Sequence, residues 1–282
     1  MIEYIIIAII QGLVEWLPIS SSGQVMIVSI NFFGISSEVA FSLSIWLHLG
    51  TTLAVLLKFR GEYVNIIKAL APKRFKSDEM AIKKRNWIIY ATIGTAIVAL
   101  PLYFIFRIIV LGAFTASHGD LITLIISGFL IITGIFILKF RRKFGIKTIL
   151  IINKNQLKKD SLITGLFQGA AILPGISRSG FTISTIMLEN YEQKNALKLS
   201  FLMSVPVALA SIGVDIIFGE GSVFGMIHPL IILLVTAISF ILGYLSMEFL
   251  LKIAKKIEFG YFCILYGVIS FIIIVPVFLL SI

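Results

Sequence analysis

The chain has 282 residues, of which 59% are hydrophobic and only 13% charged, and its mean hydropathy is +1.05. A soluble domain does not carry so much apolar surface, so lipid is the solvent for most of it. The net charge of +10 does not mark a nucleic-acid binder, because lysine and arginine gather in the connectors 58–85, 139–159, 194–198 and 252–256, as in cytoplasmic loops beside anionic lipid.

Residues 1–15 read as an apolar helix. It lacks the basic start and small-residue cleavage site of a removable signal, since the first basic residue is Lys58. At about 1.5 Å per residue it covers roughly 22 Å of a hydrocarbon core about 30 Å thick. It ends in the polar run QGLVEWLPISSSG, Gln11 to Gly23, and a second short apolar stretch follows over 23–33. Next come apolar stretches of spanning length at 37–59, 87–109 and 121–140, then a basic linker over 141–159. A second pair of short helices, 161–173 and 179–190, flanks the run QGAAILPGISRSG, Gln168 to Gly180. Spanning stretches at 196–218, 227–250 and 259–280 complete the chain.

The two polar runs align at an offset of 157, sharing Gln11/Gln168, Gly12/Gly169, Ile19/Ile176, Ser20/Ser177, Ser22/Ser179 and Gly23/Gly180. Residues 40–54 align with 196–210 at the nearly equal offset of 156. With the basic loops inside, the first hairpin enters from outside, because residues 1–57 hold no Lys or Arg. The second lies between Lys159 and Lys194 and enters from inside. The expected fold is an all-α integral membrane protein with six transmembrane helices and two re-entrant helical hairpins in an inverted-topology repeat. It forms a single membrane domain, 1–282, with repeats over about 1–140 and about 160–282.

Hydroxyls, glycines and a lone arginine at membrane depth point to a site, since irregular backbone there must be buried in protein or line a wet cavity. Helix starts near Ser22 and Ser179 offer free N–H groups, and Arg178 between them suits a multiply charged anion such as a phosphate or diphosphate. Glu15 is the outlier of opposite sign, with a structural ion pair to Arg178 as the alternative reading. It could hold a divalent cation, or act as general base. Gln11 lies one turn before it on the same face, and Gln168 takes the equivalent place in the second run. His48 reads first as a satisfied core histidine. His118 and His228 read as loop residues, Arg107 as a snorkelling helix-end cation, and Glu189, Glu192 and Lys194 as interface charges. Cys263 is the single cysteine, which excludes a disulfide framework. The histidines are too dispersed for a zinc site.

At these residues the chain resembles the undecaprenyl-diphosphate phosphatase family, integral membrane enzymes linked to bacitracin resistance. The resemblance rests on Gln11-Gly12-Leu13-Val14-Glu15, on Pro18-Ile19-Ser20-Ser21-Ser22-Gly23-Gln24, on Pro174-Gly175-Ile176-Ser177-Arg178-Ser179-Gly180-Phe181-Thr182, and on LGTTLAVLLKFR within 46–60. It implies hydrolysis of a polyprenyl diphosphate to the monophosphate at the outer face of the cell membrane, recycling the lipid carrier for glycan assembly. It also implies a homodimer and a divalent cation, Mg or Ca, near Glu15 and Gln11. By motif, Glu15, Ser21 and Arg178 are catalytic. Ser20, Ser22, Gly23, Gln24, Ser177, Ser179 and Thr182 join Arg178 on the phosphates, with His48 and Gln168 as accessories. Gln24 replaces the histidine usual after the Ser-Gly segment, and an amide takes no proton at useful pH, so Glu15 becomes the expected base. The rival reading is a lipid flippase or transporter, which releases no phosphate in detergent.

Overall fold

The computed structural model describes residues 1–71, 78–111, 119–140, 145–219 and 223–253, together with 264, 268, 269 and 272. Its elements are helices: α1 (Ile2–Val14), α2 (Ser21–Phe33), α3 (Ser37–Lys58), α4 (Arg60–Leu70), α5 (Glu79–Ile105), α6 (Gly119–Phe140), α7 (Lys154–Gly169), α8 (Arg178–Leu188), α9 (Gln193–Phe218), α10 (Val223–Met226) and α11 (Pro229–Ile253). A π-helical turn, Phe106–Leu111, extends α5, and a 3-10 turn, Ala170–Ile172, extends α7. An isolated β-bridge pairs Lys147 with Tyr191.

Four helices are long and apolar enough to cross a membrane: Ser37–Lys58, Glu79–Ile108, Gln193–Phe218 and Pro229–Leu250. The stretch expected at 121–140 forms α6, whose described apolar part is Ile122–Phe136. The stretch expected at 259–280 lies outside the described residues, apart from 264, 268, 269 and 272, and His118 and Cys263 lie outside them too.

Boundaries follow caps. Ser36 accepts from Val39 N at 3.5 Å, Asp78 from Ala81 N at 2.7 Å and Asn153 from Gln156 N at 2.9 Å, each satisfying a free donor of a first turn. The Asp78 cap explains why α5 begins eight residues before the expected 87. Gly34, at φ +62°, closes α2 in the left-handed region, and Ile35 N reaches back to Ser29 O at 3.0 Å. The connector after α3 is not a loop. Its helix α4 is amphipathic, buries Ile66 and Ala69, and exposes Val64, Ile67 and Leu70.

The short helices of each half pack on a long helix of the other half. Helix α1 lies on α11 and α7 lies on α5. The aligned glycines make the approach: a Cβ on Gly12 would stand 2.7 Å from Leu242 Cβ, and one on Gly169 would stand 2.6 Å from Val98 Cβ. Helix α3 packs on both α9 and α11 at the centre. The connector 145–153 is also built in, since Ile149 and Ile152 are buried with Trp87 and Tyr191.

Two ion clusters, one partly buried and one around the buried Asp215, mark the two ends of the bundle. At one, the carboxylate of Glu62 takes both Lys84 and Lys198. Burial opposes its ionisation, but the two ammonium groups outweigh that and hold the carboxyl below its ordinary value. At the other, Asp215 accepts from Ser42 Oγ at 2.5 Å and Tyr103 Oη at 3.1 Å, with Arg107 NH1 at 3.7 Å. Arg107 therefore turns inward to a partner instead of snorkelling.

Candidate active site

The chain between α1 and α2 and the chain between α7 and α8 meet. Ser20 is held at φ +58°, uncommon for a residue with a side chain. This aims its Oγ to accept from Gly175 N at 3.0 Å across the junction and from Gly23 N at 3.4 Å in its own helix. Ser177 caps α8 in the same way, accepting from Gly180 N at 3.1 Å. A Cβ on Gly23 would stand 2.8 Å from Gly175 N, so the two backbones touch because Gly23 has none, while Gly175 takes φ +98° and lies so close to α6 that its own Cβ would stand 2.5 Å from Ile126 O. Trp16 anchors the first tip: its Nε1 donates to Gly243 O at 2.7 Å and its ring meets Phe201 edge-on at 5.2 Å.

Glu15 ends α1 and is 4% exposed. Its Oε2 accepts from Gln11 Nε2 at 2.8 Å and from Ser21 Oγ at 2.6 Å, while its Oε1 takes Arg178 NH2. The ion pair offered as an alternative is thus present, inside a larger set of contacts. Arg178 also lies 5.7 Å from the Trp16 ring centre, and its NH1 is buried without a protein partner. His48 belongs to this site and not to the packed core. Its Nδ1 donates to Ser44 O at 2.6 Å, a carbonyl that can only accept, and its Nε2 stands 3.3 Å from Glu15 Oε2.

One cavity is lined by Glu15, Ser20, Ser21, Ser22, His48, Gln168, Ser177 and Arg178. The other expected residues stand behind its wall. Gln11 supports Glu15. Gln24 donates to Ile19 O at 3.0 Å, Ser179 to Leu17 O at 3.2 Å, and Thr182 shares a hydrogen bond of 2.6 Å with Ser200. Gly23 serves the backbone contact. Thr95, which accepts from Gln168 Nε2 at 2.9 Å, is a lining residue that the motifs do not mark. Its signal is a pair of threonines, Thr92 and Thr95, in an apolar run.

The donor set does not form a divalent-cation site as it stands. Both oxygens of Glu15 are already engaged by N–H and O–H donors, and Gln11 turns its amide nitrogen to the carboxylate. Among the described residues no group of three or more His, Cys, Asp or Glu could hold a metal ion. What the arrangement can do is accept a proton from a hydroxyl and hold an anion. A serine donates to a buried carboxylate, and Arg178 lines the same cavity with its NH1 buried and without a partner.

The family model "Bacitracin resistance protein BacA" matches residues 4–272. The Undecaprenyl-diphosphatase of Methanococcoides burtonii is 38% identical over 95% of this chain and 96% of its own. That of Methanothrix thermoacetophila is 35% identical over 95% of each. That of Haloarcula marismortui is 32% identical over 93% of each. With a match over nearly its whole length and the paired tips in place, this chain belongs to the bacitracin resistance protein BacA family.

Proposed function

We infer that this protein hydrolyses undecaprenyl diphosphate to the monophosphate and inorganic phosphate. The observation that carries the reading is one cavity, lined by Glu15, Ser21 and Arg178, at which Ser21 Oγ donates to Glu15 at 2.6 Å and the Arg178 guanidinium keeps one nitrogen without a protein partner. Arg178, Ser22 and the helix starts at Ser21 and Arg178 hold the terminal phosphate. Glu15 takes the Ser21 proton as Ser21 Oγ attacks the terminal phosphorus. The bond from that phosphorus to the bridging oxygen breaks, undecaprenyl phosphate leaves, and Ser21 carries the phosphoryl group. Water then attacks the phosphoserine, freeing inorganic phosphate and restoring the Ser21 hydroxyl. His48, with Nε2 3.3 Å from Glu15 Oε2, helps to hold that carboxylate in place. A divalent cation would come with the diphosphate's own oxygens, since Glu15 is occupied.

We further propose that the two short-helix pairs are re-entrant hairpins of an inverted repeat, with the cavity reached from the outer face. The reciprocal packing of α1 on α11 and α7 on α5 supports the repeat. The Glu62–Lys84–Lys198 end, rich in Lys and Arg, supports that end as the inner one.

The test is phosphate release from undecaprenyl diphosphate by the purified full chain in detergent. Ser21→Ala, Glu15→Gln and Arg178→Ala should each lower kcat/KM by about 10²-fold or more, the range of a lost acid–base or charge contact. Full activity in all three variants would overturn the site, and no release by the unaltered chain would overturn the reaction.

A further inference from the structure

Two pairs of long helices flank the centre of the bundle, and they are not packed alike. Helices α3 and α11 are closed against each other. A Cβ on Gly50 would meet Phe240 N at 2.7 Å, Ser239 Oγ donates to Leu47 O at 2.9 Å, and Trp46 Nε1 donates to Thr236 Oγ1 at 3.0 Å. Between α9 and α5, the corresponding pair in the other half, a cavity of about 190 Å³ stays open. The alignment at offset 156 places Pro206 of α9 where α3 has Gly50. Gly50 lets two backbones touch. Pro206, inside α9, removes an N–H and crowds the preceding turn, and α5 carries Pro101 inside it as well.

The open groove is apolar, with Ala96, Leu100, Ala210 and Val214 among its walls. It is continuous with the candidate active site, because Thr95, Ala99, Ile172, Val207 and Ser211 line both. Thr95 marks the change of character, with Gln168 bonded to it on the polar side. The groove's rim faces outward: Leu100 is 42% exposed, Leu209 47% and Ile97 58%, all within helices of spanning length.

We propose that the groove between α5 and α9 receives the first isoprene units of the lipid substrate, and that the prenyl chain leaves the protein there. This rests on the hydrolase reading above. A diphosphate seated at Arg178 must send its chain out of the cavity without burying polar groups against it, and of the two helix pairs only the open one offers an apolar path. The remaining units lie in the surrounding lipid, so the protein reads the head and the near end of the chain.

The full chain in detergent tests this in two ways. Ala210→Phe fills the groove and should raise KM for undecaprenyl diphosphate at least tenfold, leaving kcat within about twofold. Ile241→Phe, on the exposed face of α11 and outside the groove, should change neither. Independently, Ala210→Cys in a Cys263→Ser background is treated with a lipophilic maleimide. Undecaprenyl phosphate should slow its labelling at least fivefold, whereas inorganic diphosphate should not. An unchanged KM in a folded Ala210→Phe protein, or labelling indifferent to undecaprenyl phosphate, would overturn the groove. Loss of hydrolysis in the unaltered chain would overturn the reaction alone, because the protection assay needs no turnover.

Discussion

His48 and Glu189 are the two side chains whose surroundings depart furthest from what their neighbours in sequence suggest. His48 lies in a spanning helix, yet its ring bridges Ser44 O and Glu15. His48→Gln keeps a donor toward Ser44 but removes the ring nitrogen beside the carboxylate, and kcat for phosphate release should fall by about 10²-fold. Adding Gln24→His should not restore it, because that side chain is turned to Ile19 O and away from the cavity. Recovery in the double variant would show that the two positions are interchangeable. Glu189, read from sequence as an interface charge, has both carboxyl oxygens buried without a partner. Burial first, then neighbouring Asp160, push its carboxyl up to about 9 against the pull of Lys147 and Lys159. A folded-state value above the ordinary 4.5 means that the associated stability is fully present below that pH and is lost as pH rises through about 9. Glu189→Gln should therefore leave Tm nearly unchanged at pH 4.5 and raise it progressively toward pH 9, read by thermal unfolding in detergent. A difference in Tm that does not vary with pH would overturn the assignment.

At the scale of elements, the two tips stand or fall on glycine. Gly23→Ala puts a methyl group into the Gly175 backbone, which can yield only by separating the tips. Overpacking of this kind costs about 1–3 kcal/mol, and activity should fall with it because Ser21 and Arg178 sit on either side of the junction. Gly213→Ala, where nothing lies within 4 Å of the new Cβ, should be neutral or stabilise by about 0.5–1 kcal/mol. Equal Tm shifts in the two variants would remove the junction's special status. The pairing of these tips was legible in the sequence because duplication is a one-dimensional signal: a polar run in an apolar chain, found twice. The spanning helices α3, α5, α9 and α11 were legible for the same reason, since bilayer thickness sets a length. Helix α4 was not, because its apolar face is one stripe among charges and its partner is α5, across a connector. Nor were Asp215 with Arg107, or His48 with Glu15, since such pairs exist only once helices far apart in sequence have packed.

For the whole molecule, the decisive quantity is the distribution of charge between its two ends. The C-terminal end of α3 and the N-terminal ends of α5 and α9 converge on Lys58, Glu62, Lys84 and Lys198, with Glu248 of α11 joining Lys58. The opposite end of α3 and the C-terminal ends of α5 and α9 meet around Asp215. Lysine and arginine near spanning segments stay on the inner side, so the Glu62 end should face inward and the Asp215 end outward. That orientation puts Glu38, at the start of α3, outside, and Asn155, at the start of α7, inside; both side chains are exposed. In a Cys263→Ser background, Glu38→Cys should react with a membrane-impermeant maleimide on intact cells, and Asn155→Cys only after permeabilisation. The reverse pattern would invert the molecule and move the reaction to the inner face. Labelling of both on intact cells would mean that the two short-helix pairs enter from one side, and the reciprocal packing of α1 on α11 and α7 on α5 would then need an origin other than an inverted repeat.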